Sequence, residues 1–300
     1  MKGIARLLYD AIYIFLQRTW TINPLIAKRR NNRKIFWGHV RIEQETNPYL
    51  NKEIVRQLGN NQIACFSYYI DINGFKKYFA EVKYPMNYYG DSNLKEEFIE
   101  KSLEHFVSFD FLNLTTESIL VDVGAGNSPF YKIVQERSGS KAYRQDKLFA
   151  NGLNGNTIGG SATKLPLPDA SVNAITLHCA FEHFENKEDI EFLAEAERVL
   201  KPGAKCVVLP FYLASEYTVH LDPVKNLLNF SNPNVLSDSS AVLRYCDSRQ
   251  RFSRHYDVKT FKERLINQMK NLDTKIFFVE NFKDVHRDCY LRFIAVFTKI

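Results

Sequence analysis

The chain lacks the features of secreted, disulfide-stabilised and membrane-spanning proteins. Its 300 residues include five cysteines, an odd number without a C-x-x-C pair, which argues against a disulfide framework and a structural zinc site. No apolar run reaches the roughly 18–20 residues of a spanning helix, and no small-residue cleavage site follows the apolar N-terminal stretch. These absences predict a cytoplasmic protein that is neither secreted nor held by a spanning helix.

Positive charge is modest overall and concentrated near the N-terminus. The formal net charge is +6, and a large share of it comes from Lys28, Arg29, Arg30, Arg33 and Lys34. One interpretation is a solvated connector. The other is attraction to an acidic partner, such as anionic lipid, nucleic acid or an acidic glycan, and charge alone does not choose among these.

Residues 1–20 carry one apolar stripe at helical spacing. The stripe consists of Ile4, Leu7, Leu8, Ala11, Ile12, Phe15 and Leu16. Beside the basic cluster, such a helix predicts peripheral contact of residues 1–34 with the anionic inner face of a membrane. The alternative is that the stripe packs on the protein's own domain.

The rest of the N-terminal part is rich in aromatic residues. Two short strands are predicted within 65–82, because Asn73-Gly74 suits the positive φ angles of a tight hairpin turn. A helix is predicted over 93–112, with apolar residues at helical spacing and acids early in the segment. Residues 1–115 therefore predict a mainly helical N-terminal extension that covers the active site or a partner surface.

Strands and helices alternate from residue 118 onward. Strands are predicted at 119–123, 141–144, 157–160, 172–177, 204–209, 275–280 and 290–299, and helices at 128–137, 187–200 and 258–269. This alternation is typical of an α/β domain with a doubly wound, mostly parallel sheet. The predicted domain covers 116–300 and contains a polar, loop-rich insertion at 213–256.

A glycine turn follows the first strand of this domain. The apolar stretch Val121–Val123 runs directly into Gly124 and Gly126. Glycines in such a turn let the backbone approach a ligand without Cβ clashes. Pro129 stands where a dinucleotide-binding turn has its third glycine or alanine, which argues against NAD or FAD.

A second pattern follows the glycine turn. From Leu165 to Phe211 the sequence reads LPLPDASVNAITLHCAFEHFENKEDIEFLAEAERVLKPGAKCVVLPF, which predicts a strand, a loop, an amphipathic helix and another strand. Together with the glycine turn, this pattern resembles the class I S-adenosylmethionine-dependent methyltransferases. The resemblance spans 118–212 and, more loosely, 257–299. It implies a seven-stranded Rossmann-like sheet whose last two strands form an antiparallel hairpin.

The resemblance also implies S-adenosylmethionine as the cofactor and assigns its contacts. The implied cofactor-binding residues are Asp122, Gly124, Ala125, Gly126, Asp146, Ser161, Ala162 and His178. Asp146, about 20 residues after the turn, would accept hydrogen bonds from both ribose hydroxyls. Ser161 and Asn173 each stand where relatives commonly have an aspartate. Both departures are expected to weaken cofactor binding.

Three histidines are candidates for the general base that a hydroxyl acceptor requires. They are His183, His220 and His255. Packing and hydrogen bonding is the alternative role for His183, and capping or packing for His255. Asp222 is available to orient His220. The residues His178, His220 and Asp222 lack metal-ligand spacing, so no metal is predicted.

The class of acceptor is inferred from the residues that follow the fourth predicted strand. The motif Asn/Asp-Pro-Pro-Tyr/Phe of many amino-group methyltransferases is replaced there by His178-Cys179-Ala180-Phe181, which argues against methylation of DNA bases. No RNA-binding module is evident either, so a nucleic-acid partner is not predicted. The prediction is transfer to a hydroxyl of a small molecule, glycan or lipid-linked acceptor. A noncatalytic binding or scaffold protein of the same fold is the alternative.

Overall fold

The computed structural model describes residues 7–16, 35–37, 47–82, 84, 95–222, 224–225, 240–245, 251–287 and 289–300. The chain divides into two units. Unit 1 comprises Met1–Ile54, Glu182–Lys187 and Leu213–Phe261, and unit 2 comprises Val55–Phe181, Glu188–Tyr212 and Lys262–Ile300. The predicted role of residues 1–115 as a covering extension stays a prediction.

Helices and strands alternate along most of the described chain. The α-helices are α1 (7–16), α2 (Pro48–Asn60), α3 (Ile72–Glu81), α4 (Lys95–Phe111), α5 (Phe130–Ser138), α6 (Glu188–Val199), α7 (Val258–Arg264) and α8 (Phe282–Val285). The strands are β1 (Ile35–Trp37), β2 (Ala64–Tyr68), β3 (Ile119–Val123), β4 (Lys141–Asn154), β5 (Thr157–Gly159), β6 (Val172–His178), β7 (Leu200–Leu209), β8 (Thr218–Leu221), β9 (Val242–Tyr245), β10 (Phe252–His255), β11 (Leu272–Val279) and β12 (Phe293–Lys299). Single 3₁₀ turns span Phe181–His183 and Ile266–Gln268.

Unit 2 contains an eight-stranded sheet with the order β2-β11-β12-β7-β6-β3-β4-β5. All neighbouring strands are parallel except that β12 runs antiparallel to both β11 and β7. This confirms the predicted doubly wound, mostly parallel α/β sheet and its antiparallel final hairpin. The sheet has one strand more than the predicted seven, because β2 adds to the edge parallel to β11.

The predicted hairpin within 65–82 is wrong in its second half. After β2 the chain forms α3, and Asn73-Gly74 lies in its first turn. The Asp71 carboxylate caps this helix by accepting the Gly74 N–H at 2.9 Å. The buried side chains Phe75 and Tyr78 recur at helical spacing, and both rings pack on Phe106 of α4. Tertiary packing of that apolar face therefore outweighs the turn preference of the dipeptide.

Helix α4 covers the centre of the eight-stranded sheet. It packs against β6 and β7 and buries Leu103, Val107 and Phe111 in the core of unit 2. The strands β3, β4 and β6 are parallel, so their carboxyl ends lie at one edge of the sheet. Ligands of open α/β sheets bind outside that edge.

Unit 1 contains a separate four-stranded sheet with the order β1-β9-β8-β10. Strand β9 lies parallel to both β1 and β8, whereas β10 is antiparallel to β8. Three of these strands lie in the insertion predicted to be loop-rich, so that prediction is wrong for 218–221, 242–245 and 252–255. Most of their residues are buried, including both faces of β8. Each of these strands is only 4 residues long, too short for its pattern to identify a strand in the sequence.

Within the described residues, no helix has the length and apolar character that crossing a membrane requires. Helix α1 confirms helical structure over 7–16, and its Leu7 and Leu8 side chains are exposed. The basic cluster at 28–34 lies outside the described residues.

Candidate functional site

The turn after β3 is a loop built on two left-handed glycines. Gly124 has a φ of 66° and Gly126 a φ of 49°, in the region that glycine adopts at little cost. A Cβ at Gly124 would lie 2.6 Å from the Cβ of Ala180, closer than atoms pack. The Ala125 N–H donates to the Gln145 carbonyl at 2.9 Å, which ties the loop to β4. The turn therefore presents backbone rather than side chains at the ligand-binding edge.

Asp146 closes this loop from the neighbouring strand. Its Oδ2 accepts the Gly126 N–H at 3.0 Å, and its Oδ1 accepts the Leu148 N–H at 2.9 Å. A carboxylate oxygen accepts two hydrogen bonds, so each oxygen keeps capacity for a ligand hydroxyl. The structure thus brings Asp146 and the glycine turn together, as the resemblance implied.

Gln145 was not anticipated as a site residue. Its side-chain oxygen lies 3.4 Å from the Gly124 N–H, and its amide nitrogen donates to the Gly160 carbonyl at 2.7 Å. The buried Gln145 side chain therefore joins the glycine turn to the segment that holds Ser161 and Ala162. Its signal in the sequence is a polar residue in a strand directly before the candidate ribose acid.

Asp122 is a buried carboxylate at the end of β3. Its Oδ1 accepts from the Thr176 hydroxyl at 2.9 Å and lies 3.0 Å from the His178 Nδ1. Its Oδ2 is buried and has no hydrogen-bond partner among the residues that the structure describes. Burying such an atom costs free energy unless a ligand satisfies it. The free oxygen therefore suits a cationic or hydrogen-bond-donating ligand group.

The His178 side chain contacts Asp122 and is itself fixed by its neighbours. Its Nε2 lies 2.8 Å from the Ser108 hydroxyl on α4, and its ring packs edge-on against Phe130. The ring is thus fixed between a helix and a strand. Ser108 and Thr176 were not predicted, because their contacts come from elements far apart in sequence.

Ser161 makes local contacts in its own turn. Its hydroxyl accepts the Thr163 N–H at 3.2 Å and lies 2.9 Å from the Thr163 hydroxyl. Ala162 beside it is buried, whereas Ser161 is exposed. The assignment of both residues to the cofactor stays a prediction.

Asn173 lies at the other end of β6 from His178. Its side-chain oxygen accepts from the Ile119 N–H and the Lys201 ammonium, both at 3.0 Å. His178 lies five positions farther along the strand, about 17 Å away at roughly 3.3 Å per residue. Its departure from the family pattern therefore gives no reason to expect weaker cofactor binding, which corrects the expectation from the sequence.

We expect Asn173→Asp to raise the free energy of unfolding by up to about 1 kcal/mol, because a carboxylate would pair with Lys201. Urea denaturation measures this, and S-adenosylhomocysteine affinity should stay unchanged. In a Lys201→Met background the gain should vanish. A loss of ligand affinity would contradict a purely structural role for this position.

The three candidate bases all lie in unit 1. His183 has its Nδ1 2.6 Å from the Phe252 carbonyl and its Nε2 3.5 Å from the Glu182 carboxylate. The rings of His220 and His255 lie 4.3 Å apart, on one face of the β8–β10 pair. Their general-base role stays a prediction.

Neighbours of this histidine pair have structural roles. The Asp222 Oδ1 accepts the N–H groups of Val224 and Lys225, so it holds the chain after β8. The Arg254 guanidinium donates to the Phe184 and Asn186 carbonyls at 3.0 Å.

The pH dependence of stability should report the burial of His220. Burial, and then the Arg244 guanidinium, lowers the pKa of His220 to about 4. The unfolded chain, with a histidine pKa near 6.5, binds this proton first, so stability should fall as pH drops from about 6.5 towards 4. We expect a loss of roughly 1 kcal/mol between pH 7.5 and 5.5, measured by urea denaturation. His220→Gln should lack this part of the slope, and an unchanged slope would contradict the assignment.

Comparison with known proteins identifies the domain that carries the glycine turn. Residues 121–208 match the model of a family described as a methyltransferase domain. These residues form a class I S-adenosylmethionine-dependent methyltransferase domain. The match begins inside β3 and ends inside β7, so it contains the turn, Asp146 and His178.

A curated relative matches this chain over a short stretch. The ubiquinone/menaquinone biosynthesis C-methyltransferase UbiE of Stutzerimonas stutzeri (strain A1501) is 38% identical over 69 residues, which are 22% of this chain and 26% of the relative. The chain thus spans about a quarter of the length of the curated relative it matches.

Some solved methyltransferases are similar to this chain at low identity. A methyltransferase from Mesorhizobium loti is 16% identical with a TM-score of 0.41, covering 66% of this chain and 98% of its own. Geranyl diphosphate C-methyltransferase from Streptomyces coelicolor A3(2) is 12% identical with a TM-score of 0.40, covering 76% and 97%. Nothing about this chain's acceptor follows from them.

S-adenosylmethionine is the cofactor of this methyltransferase domain, and the residues present fit it. Asp122 comes just before the glycine turn, and its Oδ2 has no hydrogen-bond partner among the described residues. The cationic amino-acid end of the cofactor would supply that partner. Asp146 keeps acceptor capacity for a diol. This donor set matches a ligand with a positive end and a ribose.

Proposed function

We propose that the protein transfers a methyl group from S-adenosylmethionine to a hydroxyl of a small molecule, glycan or lipid-linked acceptor. The observation that carries the proposal is the grouping of Asp122, the glycine turn and Asp146 at the carboxyl edge of the eight-stranded sheet. When bound, the cofactor supplies an electrophilic methyl group on a sulfonium.

The chain's own residues would bind the cofactor and orient its methyl group. The Gly124–Gly126 backbone would hold the amino-acid end, Asp122 Oδ2 its ammonium, and Asp146 the ribose hydroxyls. Ala162 and Ser161 would border the adenine. His178 would position Asp122 through the Nδ1 contact. Much of the rate acceleration would come from orientation, which supplies up to about 7–11 kcal/mol in well-aligned reactions.

A carbon acceptor is the second candidate. The curated relative's name describes a C-methyltransferase, although the match covers only 26% of that protein. Oxygen and carbon acceptors share one requirement, which is loss of a proton. Transfer of a labelled methyl group to extract fractions, followed by treatment of the product with hydriodic acid, would separate the two, because a methyl ether releases its label as iodomethane and a carbon-bound methyl group does not.

The test of the activity begins with the cofactor. Calorimetric titration with S-adenosylmethionine and S-adenosylhomocysteine should give micromolar binding, and labelled methyl groups should pass to at least one extract fraction. Binding without transfer to any fraction would favour the noncatalytic scaffold. That alternative is suggested by Ser161, which stands where relatives commonly have an aspartate. No binding with or without extract would overturn the proposal.

The protein is further proposed to be cytoplasmic and to contact anionic membrane through residues 1–34. Support comes from α1, where Leu7 is 71% and Leu8 63% exposed. The fraction of protein that sediments with phosphatidylserine-containing vesicles should fall at least about tenfold in Leu7→Asp/Leu8→Asp. The reason is that the variant lacks two apolar side chains that the proposal buries in the membrane. Leu153→Asp, at another exposed leucine, should bind normally. Equal sedimentation of both variants would contradict the proposal.

A further inference from the structure

A thiol and a carboxylate meet beside the glycine turn, in the segment that follows β6. The Cys179 thiol donates to the Glu104 Oε1 at 3.2 Å, and its sulfur lies 3.5 Å from the Tyr290 hydroxyl. Glu104 comes from α4, Cys179 follows β6, and Tyr290 precedes β12. The sequence shows no sign of this arrangement, because its members lie far apart in the chain.

Cys179 lies between two residues that belong to the cofactor-binding edge. On one side, His178 contacts Asp122 at 3.0 Å. On the other, Ala180 lies so close to Gly124 that a Cβ there would approach to 2.6 Å. The thiol is therefore one residue from both walls of the proposed methyl-donor site.

The backbone at Cys179 is strained. Its φ is 47°, in the left-handed region that residues with a Cβ seldom adopt. Strain of this kind is concentrated at functional sites. The Cys179 N–H donates to the Leu209 carbonyl, which fixes the strained residue at the end of β7.

The Glu104 carboxylate is fully buried, whereas Cys179 is only half-buried. The Lys101 ammonium lies 3.1 and 3.0 Å from the two carboxylate oxygens and balances the charge. Burial, and then the Glu104 charge, raises the pKa of the nearby Glu100. Glu100 therefore holds its proton more readily than an exposed glutamate, and the hydrogen bond from the Cys179 S–H makes Glu104 the acceptor.

Tyr290 orients the thiol. Burial, and then neighbouring groups led by Cys179, raises the pKa of the Tyr290 hydroxyl well above its ordinary value. The hydroxyl therefore stays protonated and can donate to the sulfur, which leaves the S–H directed at Glu104.

We propose that Cys179 lines the acceptor subsite and passes the proton of the methyl acceptor to Glu104. This inference rests on the proposed function. The acceptor oxygen forms its bond to the methyl group as the methyl–sulfonium bond breaks, and that electron pair stays on the cofactor sulfur. The acceptor proton moves to the Cys179 Sγ while the S–H proton moves to the Glu104 Oε1, from which it later leaves to solvent.

The first test needs no acceptor. The full-length protein is treated with iodoacetamide between pH 6 and 9.5, and alkylation of the Cys179 peptide is followed by mass spectrometry. Glu104→Gln should alkylate about tenfold faster at pH 7.5, because removing the adjacent negative charge favours the thiolate. Lys101→Met/Glu104→Gln should change in the same direction, which covers the case in which an unpaired Lys101 unfolds the single variant.

Glu100→Gln is the matched control, because the Glu100 carboxylate accepts the Tyr290 N–H and not the Cys179 S–H. Its Cys179 profile should resemble the wild type. An unshifted profile in both Glu104 variants, or an equal shift in Glu100→Gln, would overturn the thiol–carboxylate pair.

The second test uses the acceptor fraction found by methyl-label transfer. Cys179→Ser keeps a hydroxyl for the relay and Cys179→Ala does not, while both carry the same backbone cost. We expect kcat to fall roughly 100-fold in the alanine variant and less than about tenfold in the serine variant, with KM and S-adenosylhomocysteine affinity unchanged. Equal rates in the two variants would assign the proton to another base, such as one of the histidines.

The two tests separate this inference from the proposed function. A shifted Cys179 profile in Glu104→Gln, with no methyl transfer by the wild type, would overturn the methyltransferase activity and the relay with it. Methyl transfer that Cys179→Ala leaves intact would overturn the relay alone.

Discussion

Asp146→Asn is expected to weaken binding of S-adenosylhomocysteine roughly 100-fold. The substitution keeps the size of the side chain but removes its charge and replaces one acceptor oxygen with a donor nitrogen. The Asp146 oxygens accept the N–H groups of Gly126 and Leu148. Charge-assisted bonds to the ligand hydroxyls and to the glycine turn would therefore weaken together. Calorimetric titration measures the change.

Asp273→Asn is the matched control, because Asp273 is exposed on β11 and has Lys275 as a distant ionic partner at 3.9 Å. It should bind the ligand like the wild type. Wild-type affinity in Asp146→Asn would show that the ribose contact has been assigned to the wrong residue. A matching loss in Asp273→Asn would show that net charge, rather than this contact, controls binding.

Gly124→Ala is expected to lower the free energy of unfolding by about 2–5 kcal/mol and to abolish ligand binding. A left-handed alanine costs roughly 1–2 kcal/mol, and the added methyl group forces overpacking that costs about 1–3 kcal/mol. The new Cβ would meet that of Ala180 at 2.6 Å, so the turn or the segment after β6 must move. Urea denaturation and calorimetric titration measure the two effects.

Gly155→Ala separates the backbone cost from the collision. Gly155 has a similar φ of 59°, but nothing lies within 4 Å of its added Cβ. We expect this variant to lose only about 1–2 kcal/mol and to keep ligand affinity. If the two alanine variants lost equal stability, the contact with Ala180 would not be the reason for glycine at 124.

The glycine turn and Asp146 could be predicted because their determinants are local. A strand that ends in two glycines specifies a left-handed turn whatever surrounds it, and parallel pairing puts the end of the next strand beside it. The sequence also showed the alternation that predicts the parallel sheet. These predictions depend on spacing within about 30 residues, the scale of one strand–helix–strand unit.

The failures have one physical cause, which is packing between distant segments. Asn73-Gly74 has the intrinsic preference of a hairpin turn, yet the apolar face of α3 is buried on α4 and decides the structure. The strands β8, β9 and β10 are buried and have 4 residues each, so their short patterns do not distinguish them from the polar loops predicted for that insertion. Intrinsic preference yields in each case to burial that only tertiary contacts supply.

The sequence by itself determined the class of sheet, the glycine turn and the acid that follows it, because strand periodicity and glycine stereochemistry act over short distances. Tertiary structure alone decided which polar atoms share a buried site. Thr176 and His178 contact Asp122, Ser108 of α4 contacts His178, and Glu104 meets Cys179 across 75 positions of the chain. Hydrogen bonds form over about 3 Å, so their partners are set by how helices and strands pack and not by their separation in sequence.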